Sequence, residues 1–386
     1  MSARVQVVGL TIGVAGIAGV VGVGTRVSGA VAAPRFAANP GVRLAAGLHL
    51  EVITTDVATP RAVVVLDGST ALVTSFSWDP RRAELYRLTR SGTTWSAARV
   101  QGGIDRPGSM IVGPDGKVYL GEVGRVSRFA AGTPAKRETV VSGLPGKGRH
   151  PLATFTFRTP NELVVNVGSS TDNCEASKGK AVCPEAEANN GLGLLRAYDL
   201  TGSGPATKWT VLARGMRNSV ALVTHSSGTL LEADNGRDAI NKADRTLSDA
   251  ALPHDELNEI VPGQNYGWPY CYDNQRNSPE FRRYACSDTT SPQTLLPPHS
   301  APLGMAYWNG RLVVAYHGYR ELGHRLVAFP VNARGVPSGP STDLVSGWEE
   351  NDSRSAGGPV GLMVAPDNSL WVTDDRNDQV LRLTAP

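Results

Sequence analysis

A turn followed by a short strand of alternating residues recurs six times along this chain. The copies occupy residues 66–76, 113–129, 159–170, 226–236, 308–318 and 365–383. Asp-Gly, Asn-Gly and Asp-Asn pairs in the turns tolerate the positive φ angles of tight hairpins, and Val, Leu, Tyr and Trp alternate in the segments that follow. The copies begin about 46 to 82 residues apart, and no stretch of 12 or more residues keeps a helical period. This spacing predicts an all-β fold, a six-bladed β-propeller.

The unequal spacing of the copies predicts where the propeller carries its insertions. Each copy would be the middle hairpin of one four-stranded blade, with six blades around a central channel. The longer intervals follow the third and fourth copies and contain all four cysteines, so we expect loop insertions there, gathered on one face. Another alternating segment lies at residues 48–57. We expect it to complete the last blade and close the ring, which leaves no free sheet edge.

The first 30 residues differ in composition from the rest of the chain. Arg4 precedes an apolar segment rich in Gly and Ala over residues 5–24, and small residues follow at 27–30. This is typical of a cleaved secretory signal peptide, with an uncleaved membrane anchor as the alternative. The predicted organisation is therefore a leader over 1–30 and a propeller domain over 41–386. The predicted location is secreted or extracytoplasmic, with membrane contact only if the leader is uncleaved.

Charge and cysteine spacing narrow the class of protein. Without its first 30 residues the chain has 36 basic and 35 acidic residues. Such near neutrality argues against nucleic acid or an anionic membrane as a partner. Cys174 and Cys183 are 9 residues apart, and Cys271 and Cys286 are 15 apart. In an exported protein this pattern predicts two local disulfides. A zinc site would typically have CxxC spacing, which is absent.

One of the seven histidines stands out by its position. His150 lies between a Gly-rich loop and a predicted strand, in the segment GKGRHPLATFTF. We expect this position to be a blade end that faces the mouth of the channel. A histidine with an ordinary pKa can act there as a general base near neutral pH. A surface or capping role is the alternative for any single histidine.

Two further segments carry side chains suited to ligands. Arg217 and Asn218 follow a Gly in ARGMRNSVAL, and they could bind anionic oxygens or form an exposed turn. In residues 254–271, HDELNEIVPGQNYGWPYC, the acids Asp255 and Glu256 precede turns that offer main-chain carbonyls. Mixed oxygen ligands of this kind suit Ca²⁺, although a solvated acidic loop fits the same residues. No GxGxxG follows a strand into a helix, and GxSxG and CxxCH are absent.

These segments together resemble the soluble quinoprotein sugar dehydrogenases, in particular the glucose and sorbosone (aldose) dehydrogenase types. The resemblance extends over about residues 45–384. It is strongest in the ordered set RHPLATFTF, NELVVNVGSSTDNC, LLRAYDLTGSG, ARGMRNSVAL, DELNEIVPGQNYGWPYC, PHSAPLGMAYW, AYHGYRELGHRL and GGPVGLMVAPDNSLWVTDD. It implies a six-bladed propeller that binds pyrroloquinoline quinone (PQQ) and calcium at the channel mouth and oxidises a sugar or polyol hydroxyl.

The resemblance also implies roles for individual residues. His150 matches the family's catalytic base, which takes the proton of the substrate hydroxyl while hydride passes to the quinone. Arg217 and Asn218 match the pair that contacts the cofactor. Arg217 would in addition stabilise the charge that develops on the quinone oxygens. The implied partners are a small sugar and an external electron acceptor, either a quinone or a cytochrome.

The calcium loop and two departures complete the comparison with that family. Glu256 and Tyr266 match the calcium-binding loop, Tyr266 through its main chain, and Asp255 is an additional candidate ligand. Relatives often carry Arg directly before PVG, where this chain has Gly358, and Arg or Gly three residues after the histidine, where it has Ala153. The missing Arg at 358 leaves a non-catalytic carbohydrate-binding propeller open as an alternative. A calcium-dependent lactonase-type hydrolase, which shares a propeller and a channel metal, is the other alternative.

Overall fold

The computed structural model describes residues 42–177, 181–188, 190–318, 320, 322–348 and 357–386. The leader predicted over 1–30 lies outside these residues, so its presence and cleavage stay predictions. Among the described residues, no helix is both long and apolar enough to cross a membrane.

The described residues are dominated by short strands. In chain order these are β1 (Arg43–Leu44), β2 (His49–Thr54), β3 (Pro60–Asp67), β4 (Thr70–Ser75), β5 (Ala83–Ser91), β6 (Thr94–Ile104), β7 (Met110–Val112), β8 (Val118–Glu122), β9 (Arg125–Phe129), β10 (Glu138–Ser142), β11 (Phe155–Thr159), β12 (Glu162–Val167), β13 (Leu194–Asp199), β14 (Thr210–Arg214), β15 (Ser219–Thr224), β16 (Leu230–Asp234), β17 (Asp255–Glu259), β18 (Cys271–Tyr272), β19 (Arg276–Asn277), β20 (Thr294–Leu296), β21 (Pro302–Trp308), β22 (Arg311–Tyr316), β23 (Arg325–Pro330), β24 (Thr342–Ser346), β25 (Pro359–Val364), β26 (Leu370–Asp374) and β27 (Gln379–Thr384). The helical elements are α1 (Pro184–Glu187) and 3-10 turns at Glu175–Ser177, Ile240–Lys242, Pro279–Phe281 and Cys286–Asp288.

Six antiparallel sheets in this part of the chain form the blades of a propeller. Blades 1 to 6 contain β3 to β6, β7 to β10, β11 to β14, β15 to β17 with β20, β21 to β24, and β25 to β27 with β2. The first strands of successive blades pack side by side, as β15 does against β21 and β25 does against β3. These first strands therefore surround the central channel. The predicted six-bladed propeller is confirmed.

The six sequence copies map onto the six blades, but at a different hairpin from the one predicted. Residues 66–76 span the turn between β3 and β4, and 308–318 span the turn between β21 and β22. Each turn joins the innermost strand to the second strand, so the middle-hairpin assignment was wrong. The reason is that several connections between second and third strands are longer loops, such as the one between Val167 and Leu194. These loops lack a tight-turn signature.

The ring closes through its N-terminal strand, as residues 48–57 predicted. Strand β2 pairs antiparallel with β27, with His49 opposite Thr384 and Val52 opposite Leu381. Ile53 is buried at this junction. Strand β1 was not predicted, and it adds a fifth strand to the outer edge of blade 5 by pairing with β24. With β2 in place, the last blade has four strands.

Apolar clusters between neighbouring blades form the core. Trp308 and Val345 of blade 5 pack in one such cluster with Leu370 and Leu381 of blade 6. Each fully buried side chain of this size stabilises the fold by about 1.5–3 kcal/mol. Near the channel the blades approach closely, and a Cβ atom on Gly108 would lie 2.1 Å from the carbonyl oxygen of Ala153. Glycine is required there by the approach of two backbones.

Two insertions meet beside the channel mouth, one between β12 and β13 and the other between β17 and β20. Each is closed by a disulfide, Cys174–Cys183 and Cys271–Cys286, so both predicted pairings are confirmed and the cysteines are not zinc ligands. The insertions also contact each other, because the hydroxyl of Tyr270 accepts a hydrogen bond from the main-chain N–H of Cys183 at 2.9 Å. The predicted insertions after the third and fourth copies are therefore present, and they form one unit.

Candidate active site

A cavity of about 340 Å³ lies at the mouth of the channel. Its lining comes from loops that enter first strands and from loops that join second to third strands. In an antiparallel blade these two kinds of loop emerge at the same end. Four predicted site residues, His150, Arg217, Asn218 and Asp255, line this cavity. The structure therefore brings together side chains that are up to about a hundred residues apart in the chain.

The imidazole of His150 is half-buried and held in one tautomer. Its Nδ1 lies 3.0 Å from the carbonyl oxygen of Ser169 and 2.9 Å from that residue's Oγ. The carbonyl can only accept, and the Oγ donates its proton to the carbonyl of Thr171 at 2.6 Å. Nδ1 therefore carries the ring proton, and the lone pair lies on Nε2. Burial and the positive charge of Arg217 lower the pKa of His150 to about 3, so the ring is neutral and can accept a proton.

Arg217 is buried, and its charge is balanced by acidic side chains. The Nε donates to Oδ1 of Asp172 at 2.9 Å, and Nη2 lies 2.7 Å from the same oxygen. Nη1 donates to the carbonyl of Asn235 at 3.0 Å, and Nη2 reaches Asp238 at 3.4 Å. Asp172 belongs to the insertion between β12 and β13. The disulfide-closed insertion therefore fixes the position of the guanidinium.

One carboxylate fixes the main chain of the Arg217–Asn218 turn. Asp234, at the end of β16, accepts hydrogen bonds from the main-chain N–H groups of Arg217 at 2.8 Å and Asn218 at 2.5 Å. Burial raises the pKa of Asp234 to about 7, although these two N–H groups oppose the rise. The side-chain Oδ1 of Asn218 accepts from Asn166 at 3.3 Å. The turn is thus a fixed part of the cavity wall and not the exposed turn of the alternative interpretation.

The two adjacent carboxylates of β17 face different cavities. Successive strand residues point to opposite faces, and Asp255 lines the large cavity while Glu256 lines a smaller one of about 30 Å³. Both oxygens of Asp255 are occupied: Oδ1 accepts from the N–H of Gly236 at 2.7 Å, and Oδ2 accepts from Ser300 Oγ at 2.9 Å and the N–H of Ala301 at 2.7 Å. The prediction that both carboxylates share one calcium ion does not fit this geometry. Asp255 instead joins loops of the mouth.

The smaller cavity is lined by two acidic side chains and by two arginines. Glu256, Asp234 and Tyr266 line it. Glu232 lies two residues before Asp234 on β16, so both are on one sheet face, and it pairs in register with Asn258. Burial, joined by neighbouring carboxylates, raises the pKa of Glu256 and of Glu232 well above the usual value. Oε2 of Glu232 and Oδ1 of Asn258 are buried without a hydrogen-bond partner among the described residues. Buried carboxylates with unpaired oxygens suit a hard cation such as Ca²⁺.

The side chain of Tyr266 has a structural role in this loop. Its hydroxyl donates to the carbonyl of Glu259 at 2.6 Å and accepts from the N–H of Val261 at 2.9 Å. Burial raises the pKa of Tyr266 to about 12, so the hydroxyl stays protonated. Only the main chain of Tyr266 is left for a metal, which is the role that the resemblance implies.

The large cavity also contains residues that the sequence did not indicate, namely Arg61, Trp78 and His317. Arg61 is 7% exposed, its Nε has no partner among the described residues, and its Nη1 lies 3.9 Å from Asp375. Asp375 also accepts from Nε2 of His317 at 2.9 Å. Burial raises the pKa of Asp375, but the hydrogen bond to His317 together with the positive charges of His317 and nearby arginines holds the pKa below its usual value.

Gly358 leaves room for the His317–Asp375 pair. A Cβ atom at this position would lie 2.7 Å from Oδ1 of Asp375 and 3.0 Å from Cδ2 of His317. An arginine at 358 would therefore collide with the pair, and Arg61 supplies a guanidinium to the same cavity instead. Ala153, the second departure, is 3% exposed and is not part of the cavity lining.

The comparison with known families agrees with this architecture. A family model described as TrAA12-like matches residues 42–385. The chain belongs to the TrAA12-like family. The resemblance to PQQ-dependent sugar dehydrogenases, predicted from the sequence, is confirmed at the level of the family.

Curated relatives of this TrAA12-like chain are distant. The PQQ-dependent pyranose dehydrogenase of Coprinopsis cinerea is 24% identical over 366 residues, which cover 78% of this chain and 48% of the relative. An uncharacterized protein of Borreliella burgdorferi is 24% identical over 240 residues, 58% of this chain and 57% of the relative. The chain thus spans about half the length of the curated relatives it matches.

Solved structures show the same fold. The iodide structure of a Trichoderma reesei Carbohydrate-Active Enzymes Family AA12 protein has a TM-score of 0.74 at 21% identity, covering 90% of this chain and 98% of its own. The holo PQQ domain of pyranose dehydrogenase from Coprinopsis cinerea has a TM-score of 0.71 at 21% identity, covering 89% and 97%. The PQQ-bound aldose sugar dehydrogenase of Streptomyces coelicolor has a TM-score of 0.60 at 19% identity, covering 89% and 100%.

Proposed function

We propose that this protein is a PQQ-dependent dehydrogenase that oxidises a hydroxyl group of a sugar or polyol. The observation that carries the proposal is the neutral imidazole of His150, which lines the cavity beside Arg217 and Asn218 with its Nε2 lone pair unpaired among the described residues. Relatives whose names state PQQ binding and sugar oxidation support the proposal. They do not favour a non-catalytic propeller or a lactonase-type hydrolase.

The residues of the large cavity fit an anionic cofactor. Three arginines, Arg61, Arg149 and Arg217, line it. Arg217 is balanced by acidic neighbours, whereas the buried Nε of Arg61 has no partner in the described structure. A ligand that brings negatively charged oxygens would satisfy that donor and remove the cost of burying it alone. When bound, PQQ would supply the acceptor for two electrons and thus the redox chemistry that side chains lack.

The protein's own residues would move the proton and orient the reactants. His150 would accept the proton of the substrate hydroxyl at Nε2, while Ser169 holds the ring through Nδ1. The imidazolium that forms lies near Arg217, which disfavours it, and near Asp238, which favours it. Arg217 and Asn218, fixed by acidic partners, would hold the cofactor against the substrate. Because these side chains are already ordered before the substrate binds, no conformational entropy is lost in ordering them during the reaction.

We propose that the calcium ion occupies the smaller cavity, with Glu256 and the main chain of Tyr266 as ligands. A volume of about 30 Å³ is enough for a single ion or one or two water molecules. Asp255 would act indirectly, by holding the loops of the mouth. The ion would relieve the repulsion among the buried carboxylates of this sheet face.

The cellular location of the protein and its electron acceptor are the remaining parts of the proposal. Two disulfides favour an oxidising compartment outside the cytoplasm. Electrons would leave to an external carrier, either a quinone or a cytochrome.

A reconstitution experiment tests the proposed function. The protein is purified without cofactor, PQQ and Ca²⁺ are added, and reduction of a dye is followed with a panel of sugars and polyols. We expect turnover that requires PQQ. In His150→Ala turnover should fall by at least about 100-fold, while the absorption spectrum of bound quinone is retained. Absence of PQQ binding in the wild-type protein would show that the proposed function is wrong. Loss of the bound-quinone spectrum in the variant would make His150 a structural residue.

A further inference from the structure

The large cavity has a wall that the proposed chemistry does not use. Trp78, from the loop between β4 and β5, and His317, from the loop between β22 and β23, both line the cavity. Trp78 is 63% exposed, more than any other large apolar side chain in the described part of the molecule. An indole presented to solvent at the rim of a cavity keeps a large apolar surface in water, which a ligand can cover.

The indole of Trp78 packs on one side against another aromatic ring. The ring of Trp78 meets Phe76 edge to face, with centroids 5.0 Å apart at an interplanar angle of 89°. The guanidinium of Arg61 lies 5.1 Å from the centroid of Phe76. Phe76 thus contacts both Trp78 and Arg61.

His317 presents a defined acceptor in the same cavity. Asp375 accepts from Nε2, so the ring proton lies on Nε2 and the lone pair on Nδ1. Nδ1 has no hydrogen-bond partner among the described residues, and the side chain is 20% exposed. Arg61 also approaches Asp375, at 3.9 Å. The same arginine therefore lies beside the partners of both Trp78 and His317 and is a positioning residue for the wall.

We propose that Trp78 and His317 form a subsite for a pyranose ring, an inference that rests on the proposed function and narrows its substrate class. A pyranose has a flat face of C–H groups and a rim of hydroxyls. The face would stack on Trp78 and bury apolar surface, and one hydroxyl would donate to Nδ1 of His317. An open-chain polyol offers the same hydroxyls but no rigid face. The wall therefore favours a closed sugar ring over a polyol.

A binding experiment without cofactor tests this subsite directly. Calorimetry and intrinsic fluorescence follow the titration of cofactor-free protein with glucose and, separately, with sorbitol. We expect Trp78→Ala to weaken glucose binding about five- to tenfold, the size of a lost ring-stacking contact, and to change sorbitol binding by less than about twofold. Trp78→Phe should keep most of the glucose affinity but lose the sugar-induced change in fluorescence. His317→Ala should weaken both ligands.

A matched control is Trp209→Phe, at a tryptophan that packs against Arg196 outside the cavity lining. It should retain both the affinity and the sugar-induced fluorescence change. Equal losses for glucose and sorbitol in Trp78→Ala, or no loss for glucose, would overturn the subsite.

The loaded enzyme separates this inference from the proposed function. With PQQ and Ca²⁺ present, Trp78→Ala should raise KM for glucose about five- to tenfold and leave kcat within about twofold. Turnover with an unchanged KM in Trp78→Ala would refute the subsite and leave the proposed function standing. Glucose binding that depends on Trp78 in a protein without PQQ turnover would refute the proposed function and leave the subsite standing.

Discussion

At the scale of single residues, the surroundings of His150 set its proton affinity. Burial and Arg217 lower the pKa of His150 to about 3, whereas an imidazole in an unfolded chain titrates near 6.5. Between these two pH values the unfolded state binds more protons than the folded state. Folding therefore loses stability as the pH falls, by up to about 1.4 kcal/mol per pH unit from this group. We expect His150→Gln to reduce the acid sensitivity of the cofactor-free protein, as measured by urea midpoints at pH 7, 5.5 and 4.

The control for this prediction is His49→Gln, at an exposed histidine on β2. That variant should keep the wild-type dependence on pH. If the midpoints of His150→Gln and the wild type fall in parallel from pH 7 to 4, the imidazole is not held neutral by the fold.

At the scale of elements, the sequence predicted those features of the fold that depend on residues close together in the chain. Tight-turn dipeptides and alternating strands occur once in each blade, so the blade number could be predicted, and so could the closing strand β2. His150 could be placed because it precedes a first strand, whereas the role of Arg217 came only from the resemblance. Arg61 and Asp375 could not, because they meet only when the last blade closes against the first, 314 residues apart in the chain. Asp255 and Glu256 were grouped because they are adjacent, although a strand directs them to opposite faces.

Strand β17 makes the proposed calcium site testable. Glu256 is buried on the face of the smaller cavity, and Glu259 on the same strand forms an ion pair with Arg334 instead. We expect millimolar Ca²⁺ to raise the melting temperature of the cofactor-free protein, because an ion that binds only the folded state stabilises it. Glu256→Gln should lose most of this rise, and Glu259→Gln should keep it. Equal calcium-induced shifts in both variants would place the ion elsewhere.

At the scale of the whole molecule, one short strand joins the two ends of the ring. Strand β2 pairs with β27, and Ile53 and Val57 are 6% and 0% exposed beside it. Leu50 and Val52 pack against the cluster between blades 5 and 6. Four such side chains represent on the order of 5–10 kcal/mol of apolar burial. This is comparable with the entire stability of an ordinary domain, about 5–15 kcal/mol.

Removal of this strand should therefore prevent the ring from forming. We expect a chain that begins at residue 58 to elute as aggregates in size-exclusion chromatography and to lack a cooperative thermal transition, because β27 becomes an unpaired edge that can pair with other chains. A chain that begins at residue 41 should elute as a discrete species and melt cooperatively. A synthetic peptide of residues 42–57, added during refolding of the shorter chain, should restore part of that transition by strand addition. A cooperative transition in the shorter chain alone would mean that five complete blades and the three remaining strands of the sixth hold the ring without β2.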